Sequence, residues 1–161
     1  MKQHKILCLV GFGLLAMMQA AQAAADVAGY WLTDEREGVV ELYHCGKSRD
    51  QICGRFHWLR KDRPEHIVRD TENPDPSRHN QPLCGMQFMG GFKPADIGHF
   101  EDGWIYNPED GAKYNAHLTL VDHNTLDLHG YLLLPVLGES RTWKRTSAKN
   151  GCNAVMASAE R

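Results

Sequence analysis

Hydrophobic and polar residues alternate most clearly in the second half of the chain. Ala116, Leu118 and Leu120 are separated by polar residues, and a second alternating run begins at Leu126 and continues to Leu132. A period of two is typical of a β-strand with one buried face. The two runs therefore predict two strands of an antiparallel sheet.

The register of these two strands follows from their apolar faces, because a slip of one residue would expose every leucine. A three-residue loop at residues 122–124 makes the faces match, whereas a two-residue loop would oppose leucine with polar residues. The expected pairs are Leu120 with Leu126, Leu118 with Leu128, and His117 with His129.

Further strands are predicted elsewhere from β-branched and aromatic residues between turn signals. They fall near residues 26–33, 39–44, 54–59, 85–92 and 138–145, with residues 93–102 as a connection and residues 103–114 as a turn between aromatic flanks. About eight short strands favour an all-β fold, and closing the sheet into a barrel removes its unpaired edges. The first and last strands would then be neighbours, which would allow an arginine of residues 141–145 to lie over Trp31. A short helix is expected near residues 153–160.

The segment 60–82 interrupts this pattern with charged residues and four prolines. Loops of this length inside a compact domain are usually functional or mobile. Within it, the oxygen-bearing side chains of Asp70, Glu72, Asn73 and Asp75 could bind calcium. Their spacing is not that of an EF-hand, however, and Asx-Pro turn chemistry is the favoured interpretation.

The amino-terminal residues indicate export. Lys2 and Lys5 precede an apolar run that ends at a small-x-small motif, which predicts a signal peptide over residues 1–23 and a single domain over residues 24–161. Removing the two lysines leaves 16 basic against 20 acidic residues, a net charge of −4 with histidine neutral. This charge gives no electrostatic reason to bind nucleic acid or an anionic membrane. We expect a periplasmic or secreted protein without a membrane anchor after cleavage.

Four cysteines remain in the mature chain, and an even number in an exported protein suggests two disulfides. Cys45 and Cys53 flank a predicted hairpin connection, so they could meet across two strands; Cys84 with Cys152 follows by elimination. The alternative is free buried thiols.

Several motifs, taken in order, resemble a known family. They are Gly29-Tyr30-Trp31, Ile52-Cys53-Gly54, Asp70-x-x-Asn73-Pro74-Asp75-Pro76, Pro82-Leu83-x-Gly85, Ile105-Tyr106-x-Pro108-Glu109-x-Gly111-x-x-Tyr114, Gly130-Tyr131 and Thr142-Trp143-x-Arg145. This combination is similar to the domain of unknown function 2147 family of small exported bacterial proteins. The resemblance implies a lipocalin-like (calycin) up-and-down barrel in the cell envelope or secreted, and it implies no reaction.

Candidate chemistry is sparse. His117 and His129, with Asp127 nearby, could hold a transition metal, although solvated surface histidines are the favoured interpretation. There is no Gly-x-Ser-x-Gly elbow, and bridged cysteines supply no thiolate. The sequence therefore predicts no catalytic residue, metal or cofactor.

The aromatic residues allow two interpretations. They could fill the barrel, or they could line a small apolar cavity with a polar rim that is closed by the long loop. For the cavity, the candidate ligand-binding residues are Tyr106, Tyr114, Arg78 and Asn73. The leading functional hypothesis is a non-catalytic carrier of a small, partly apolar molecule. The alternatives are an envelope interaction module with a filled barrel and, less favoured, an enzyme acting on an envelope substrate.

Overall fold

The protein is an eight-stranded antiparallel barrel in which each strand pairs with the next and the last pairs with the first. The computed structural model describes residues 26–60, 68–148 and 151–152. The strands are β1 (Gly29–Leu32), β2 (Gly38–Cys45), β3 (Gln51–Leu59), β4 (Gln87–Asp96), β5 (His99–Asn107), β6 (Ala112–Asp122), β7 (Thr125–Tyr131) and β8 (Glu139–Thr146). The predicted closed, up-and-down barrel is confirmed. The predicted signal peptide and carboxy-terminal helix lie outside the described residues.

Closure joins the first and last strands through Arg145. Its guanidinium lies 4.3 Å from the centre of the Trp31 ring, as expected for neighbouring strands of a closed barrel. The same group donates hydrogen bonds to the backbone carbonyls of His123, Ala28 and Asp26, at 2.6, 3.0 and 2.8 Å. Arg145 therefore ties the segment before β1 and the β6–β7 turn to the end of β8.

We expect Arg145→Ala to lower the free energy of unfolding by about 2 kcal/mol, because three charge-assisted hydrogen bonds and a cation–π contact are lost together. Arg145→Lys should recover only part of this loss, since an ammonium cannot reproduce the planar guanidinium fork. Urea unfolding of the two variants tests this expectation. Equal stability of Arg145→Lys and the wild type would show that charge alone matters at this position.

The barrel interior next to Trp31 is packed with side chains. Trp31, Met89 and Phe92 are each 0 % exposed. Two glycines make room for Met89 and Phe92: a Cβ at Gly54 would press on the Met89 side chain, and a Cβ at Gly103 would overlap the Phe92 ring. The complete buried cluster is Val27, Trp31, Val40, Leu42, Ile52, Phe88, Met89, Phe92, Ala116, Leu118, Leu126, Leu128 and Trp143. Burial of these residues supplies the main drive for folding.

The β6–β7 hairpin has the predicted register but not the predicted loop. Leu118 pairs with Leu128, Leu120 with Leu126, and His117 with His129. The ladder then shifts between Leu120 and Asp122, and Asp122 pairs with Thr125, so the connecting loop has two residues rather than three. A bulge in β6 supplies the extra residue that keeps the apolar faces together.

Two further expectations are wrong. Residues 93–102 are not a connection: β4 continues to Asp96, and β5 begins at His99. The ladder accommodates Pro94, which has no N–H, through a register shift after this residue. Leu132 does not continue the inward face of β7, since the strand ends at Tyr131 and Leu132 is 63 % exposed. Pro135 instead starts a 3-10 turn, Pro135–Leu137.

The cysteines pair as expected, Cys45 with Cys53 and Cys84 with Cys152. The first bond joins the end of β2 to the beginning of β3. The second bond ties the residues just before β4 to the chain after β8. Within the described ranges, no helix has the length and apolar character needed to cross a membrane.

Candidate functional site

The long loop before β4 folds back on itself. The Asp70 N–H donates to the Gln81 carbonyl and the Leu83 N–H donates to the Val68 carbonyl, both at 3.0 Å. Arg69 and Pro82 form an isolated antiparallel bridge between the same two segments. Leu83, which is 1 % exposed, anchors the returning arm in the protein. Residues 68–83 therefore form a narrow hairpin with a fixed tip.

The tip of this hairpin is built by side-chain hydrogen bonds to its own backbone. Asp75 accepts from the N–H and the hydroxyl of Ser77, at 3.0 and 2.7 Å, and so caps the 3-10 turn Pro76–Arg78. The Asn73 Oδ1 accepts from the Asp75 N–H at 2.9 Å. These are the bonds of Asx-turn chemistry. Of the oxygens considered for calcium, those of Asp70, Asn73 and Asp75 accept hydrogen bonds within the protein or belong to a residue that does. The described residues contain no group of three or more His, Cys, Asp or Glu side chains that could hold a metal ion.

Asp70 is the buried polar centre of the site. It is 1 % exposed, and a carboxylate this deeply buried needs hydrogen-bond donors. The Tyr106 hydroxyl donates to one of its oxygens at 2.5 Å, and the Asn73 Nδ2 donates to the other at 2.6 Å. Asp70 thus connects the loop to β5 across 36 residues of sequence.

The β5–β6 turn provides a second connection to the loop. Gly111 has a φ of 69°, and its N–H donates to the Asn107 carbonyl at 2.9 Å. A Cβ on Gly111 would overlap the carbonyl oxygen of Glu72. Only glycine allows the turn and the loop to approach this closely. The two longest of the motifs, at residues 70–76 and 105–114, are therefore in contact.

A cleft of about 740 Å³ lies between the loop and the barrel wall. Gly103 and Ile105 face the barrel interior, where they meet Phe92 and Gly130, so the alternating residues Trp104 and Tyr106 lie on the outer face. The cleft is consequently on the outside of the barrel, beside β4, β5 and β6. Its lining residues are Asp70, Asn73, Pro74, Arg78, Gln81, Gly85, Met86, Gln87, Trp104, Tyr106, Gly111 and Lys113.

The structure brings three of the four candidate ligand-binding residues together. Asn73, Arg78 and Tyr106 line the cleft. Tyr114 does not, because it pairs with Ile105 and shares the inward face of β6 with Ala116. Its hydroxyl donates to Asp110 at 2.6 Å, within the β5–β6 turn. That these residues bind a ligand remains a prediction.

Sequence reasoning did not identify Trp104 and Lys113 as site residues. The Lys113 ammonium lies 4.2 Å from the centre of the Trp104 ring. Tyr106 pairs with Lys113 in the ladder, which places this lysine beside both aromatic residues. The available signal was the four-residue turn at 108–111, which fixes the register of β5 against β6 and so places the three side chains on one face.

Both tyrosines at this end of the barrel are hydrogen-bond donors to carboxylates. Burial and the bond to Asp70 raise the pKa of Tyr106 far above its ordinary value. The bond to Asp110, together with partial burial, raises the pKa of Tyr114. Neither phenol loses its proton near neutral pH, so they hold groups in position and do not accept protons.

Three histidines lie side by side on the outer face at another part of the barrel. The His117 ring is 4.8 Å from that of His129 and 5.5 Å from that of His99. Metal ligation uses lone pairs in the ring plane, whereas the His117 and His129 rings face each other at 22°. Asp127, the expected third ligand, instead accepts a hydrogen bond from Thr142 at 2.8 Å. The arrangement favours the interpretation as surface histidines.

These histidines predict a pH dependence of stability. Desolvation, followed by the proximity of His129 and His99, lowers the pKa of His117 below its ordinary value of 6.5. The unfolded chain then binds a proton at a higher pH than the folded chain does. The contribution to stability is complete above pH 6.5 and is lost as the pH falls below that value.

Urea unfolding of the wild type and His117→Gln between pH 5 and 7.5 tests this expectation. The wild type should lose more stability on acidification than the variant, because the variant has no group to protonate at this position. Parallel pH profiles of the two proteins would contradict the assignment to His117.

Comparison with known proteins places the chain in a family. Residues 29–145 match the family model described as "Uncharacterized protein conserved in bacteria (DUF2147)". No curated protein matches. Among solved structures, the chain is similar to protein HP1028 from the human pathogen Helicobacter pylori, which is described as belonging to the lipocalin family. The identity is 20 %, the TM-score is 0.66, and the match covers 76 % of this chain and 84 % of the other. At this identity the likeness shows the fold, and the family match shows that the chain belongs to the DUF2147 family.

Proposed function

We propose that this protein is an exported, lipocalin-like binding protein of the cell envelope, formed from residues 24–161 after removal of a signal peptide. It holds a small, partly apolar molecule without covalent chemistry. The molecule lies in the cleft between the long loop and strands β4 to β6.

The cleft itself is the observation that carries this proposal. Its volume of about 740 Å³ is within the usual range for small-molecule sites. Its lining combines apolar surface from Trp104, Met86 and Pro74 with polar groups from the loop. The two connections from the loop, Asp70 to Tyr106 and Glu72 to Gly111, hold its walls in place without a ligand. A preformed site loses little conformational entropy on binding.

Two disulfides and the signal-like amino terminus support export, because disulfides persist in oxidising compartments outside the cytoplasm. The lipocalin-like fold supports a binding role, since barrels of this type commonly hold one small ligand. Here the proposed site is the cleft outside the barrel, because the interior beside the core cluster is filled by side chains.

Native mass spectrometry of the protein purified from its own host tests the proposal. We expect a co-purifying small molecule on the wild type and on Lys93→Ala, a control whose lysine pairs with Asp102 away from the cleft. Trp104→Ala should lose most of it. A bare mass for the wild type under these conditions would overturn the proposal.

A second candidate function is an envelope interaction module, which acts through its surface. The packing of Trp31, Met89 and Phe92 favours it, because this part of the barrel interior is filled by side chains. The same experiment separates the two functions, since an interaction module needs no co-purifying small molecule.

A further inference from the structure

The charged groups of the cleft are mostly cationic. Lys113 and Arg78 line it, and Asp70 is the acidic residue among the lining side chains. The Asp70 carboxylate is buried and is already hydrogen-bonded through both oxygens. Its charge is therefore engaged with the protein, whereas the two cations lie on exposed positions.

Neither cation is strongly neutralised by the protein. Lys113 contacts the Trp104 ring, and within the described residues no carboxylate lies close enough to pair with it. Arg78 has an acidic neighbour, Asp75, at 3.7 Å, in a pair with side-chain exposures of 62 % and 55 %. Exposed pairs of this kind contribute little, so the guanidinium remains available to an anion.

Among the neutral side chains of the cleft, Gln87 adds a donor. Its Oε1 accepts from the Tyr43 hydroxyl at 3.0 Å, which leaves its Nε2 as a donor. Asn73 adds neither, because its Oδ1 accepts from the Asp75 N–H and its Nδ2 donates to Asp70. The Gln81 side-chain amide favours neither charge, because it offers both an acceptor and a donor.

We infer that the molecule held in this cleft is an amphipathic organic anion, whose acidic head group lies between Lys113 and Arg78 and whose apolar body lies against Trp104 and Met86. This inference rests on the proposed function and names its ligand class. Lysine and arginine recognise carboxylate, sulfonate and phosphate oxygens through charge-assisted hydrogen bonds. The Trp104 ring holds the Lys113 ammonium in place through the cation–π contact.

Two fluorescent probes that differ mainly in charge test this inference. They are 8-anilinonaphthalene-1-sulfonate, an anion, and N-phenyl-1-naphthylamine, its neutral counterpart. We expect the wild type to bind the sulfonate at least roughly tenfold more tightly than the neutral amine, the factor that one charge-assisted hydrogen bond supplies. Displacement of the bound sulfonate by octanoate or by octyl phosphate then ranks the two natural head-group chemistries.

Three variants locate the binding. Lys113→Met with Arg78→Gln removes both cations and should weaken sulfonate binding by roughly tenfold or more. Lys93→Met removes a cation from outside the cleft and should leave binding unchanged. Leu133→Ser with Leu137→Ser alters the exposed β7–β8 connection, where these leucines are 87 % and 78 % exposed. Sulfonate binding should persist in that variant if the cleft is its site.

The outcomes distinguish a wrong ligand class from a wrong function. Equal binding of both probes, or unchanged sulfonate binding in the Lys113→Met, Arg78→Gln variant, would overturn the anion preference but leave a binding protein. Loss of sulfonate binding in the Leu133→Ser, Leu137→Ser variant would place the probe elsewhere and also overturn the inference. Binding of neither probe, together with a bare native mass, would overturn both.

Discussion

Replacing Cys84 and Cys152 by serine is expected to lower the free energy of unfolding by about 4 kcal/mol. The disulfide between them closes 68 residues of sequence, which include β4 to β8. In the chain-entropy model, a cross-link stabilises the folded protein by restricting the unfolded chain, and the effect grows with the logarithm of the loop length. The bond also fixes the residues immediately before β4 to the chain after β8.

The Cys45–Cys53 bond is the matched control, because it closes only 8 residues. The same model gives about 2.5 kcal/mol for it. Each pair has one deeply buried member, Cys53 at 7 % and Cys152 at 6 % exposure, so the cost of burying a serine hydroxyl is similar. Urea unfolding under oxidising conditions compares the two double variants. Equal losses would show that loop entropy does not govern the stability of this barrel.

The Cys84–Cys152 bond is also expected to hold one wall of the cleft in place. Cys84 directly precedes Gly85 and Met86, which line it. Without the bond, this wall is held by backbone hydrogen bonds such as that from the Gly85 N–H to the Phe56 carbonyl, at 2.8 Å. We therefore expect the Cys84→Ser, Cys152→Ser variant to weaken sulfonate probe binding, whereas the Cys45→Ser, Cys53→Ser variant retains it.

The parts of the fold that the sequence predicts well are those with one apolar face. Leu118, Leu120, Leu126 and Leu128 alternate with polar residues, and burying all four permits only one register. The loop between these strands was less predictable. A bulge moves the pairing by one residue without any change in composition.

Residues 93–102 were missed because they carry little apolar alternation. Residues 93–96 of β4 are all exposed, as are Glu101 and Asp102 on β5. Their pairing is held by the backbone ladder, to which Lys93 and Asp102 add an exposed ion pair at 3.3 Å. Hydrophobic patterning indicates which residues are buried, so it does not predict strand segments that extend beyond the core.

The candidate site was predicted only in part, for two physical reasons. Trp104 belongs to a residue type that is usually buried, so its position on the outer face follows from strand register rather than from its chemistry. Asp70 meets Tyr106 across 36 residues of sequence, and no local periodicity reports such a contact. The loop motif and the turn motif were each visible in the sequence, but their contact was not.

That contact can be tested at a single residue. Gly111→Ala is expected to destabilise the protein by about 3 kcal/mol, from two sources. A positive φ costs an alanine about 1–2 kcal/mol, and a Cβ that overlaps the Glu72 carbonyl forces the loop and the turn apart at a further cost of about 1–3 kcal/mol.

Gly85→Ala separates these two sources, because Gly85 has a φ of 83° and a Cβ there would meet no atom within 4 Å. It should cost only the backbone strain, about 1–2 kcal/mol. Tryptic cleavage after Arg78 under non-reducing conditions then reports whether the loop has moved. Faster cleavage in Gly111→Ala than in Gly85→Ala is expected, since only the first substitution separates the loop from the β5–β6 turn. Equal cleavage and equal stability would mean that Asp70 and Tyr106 hold the loop without help from the turn, and the cleft would then depend on one hydrogen-bonded pair.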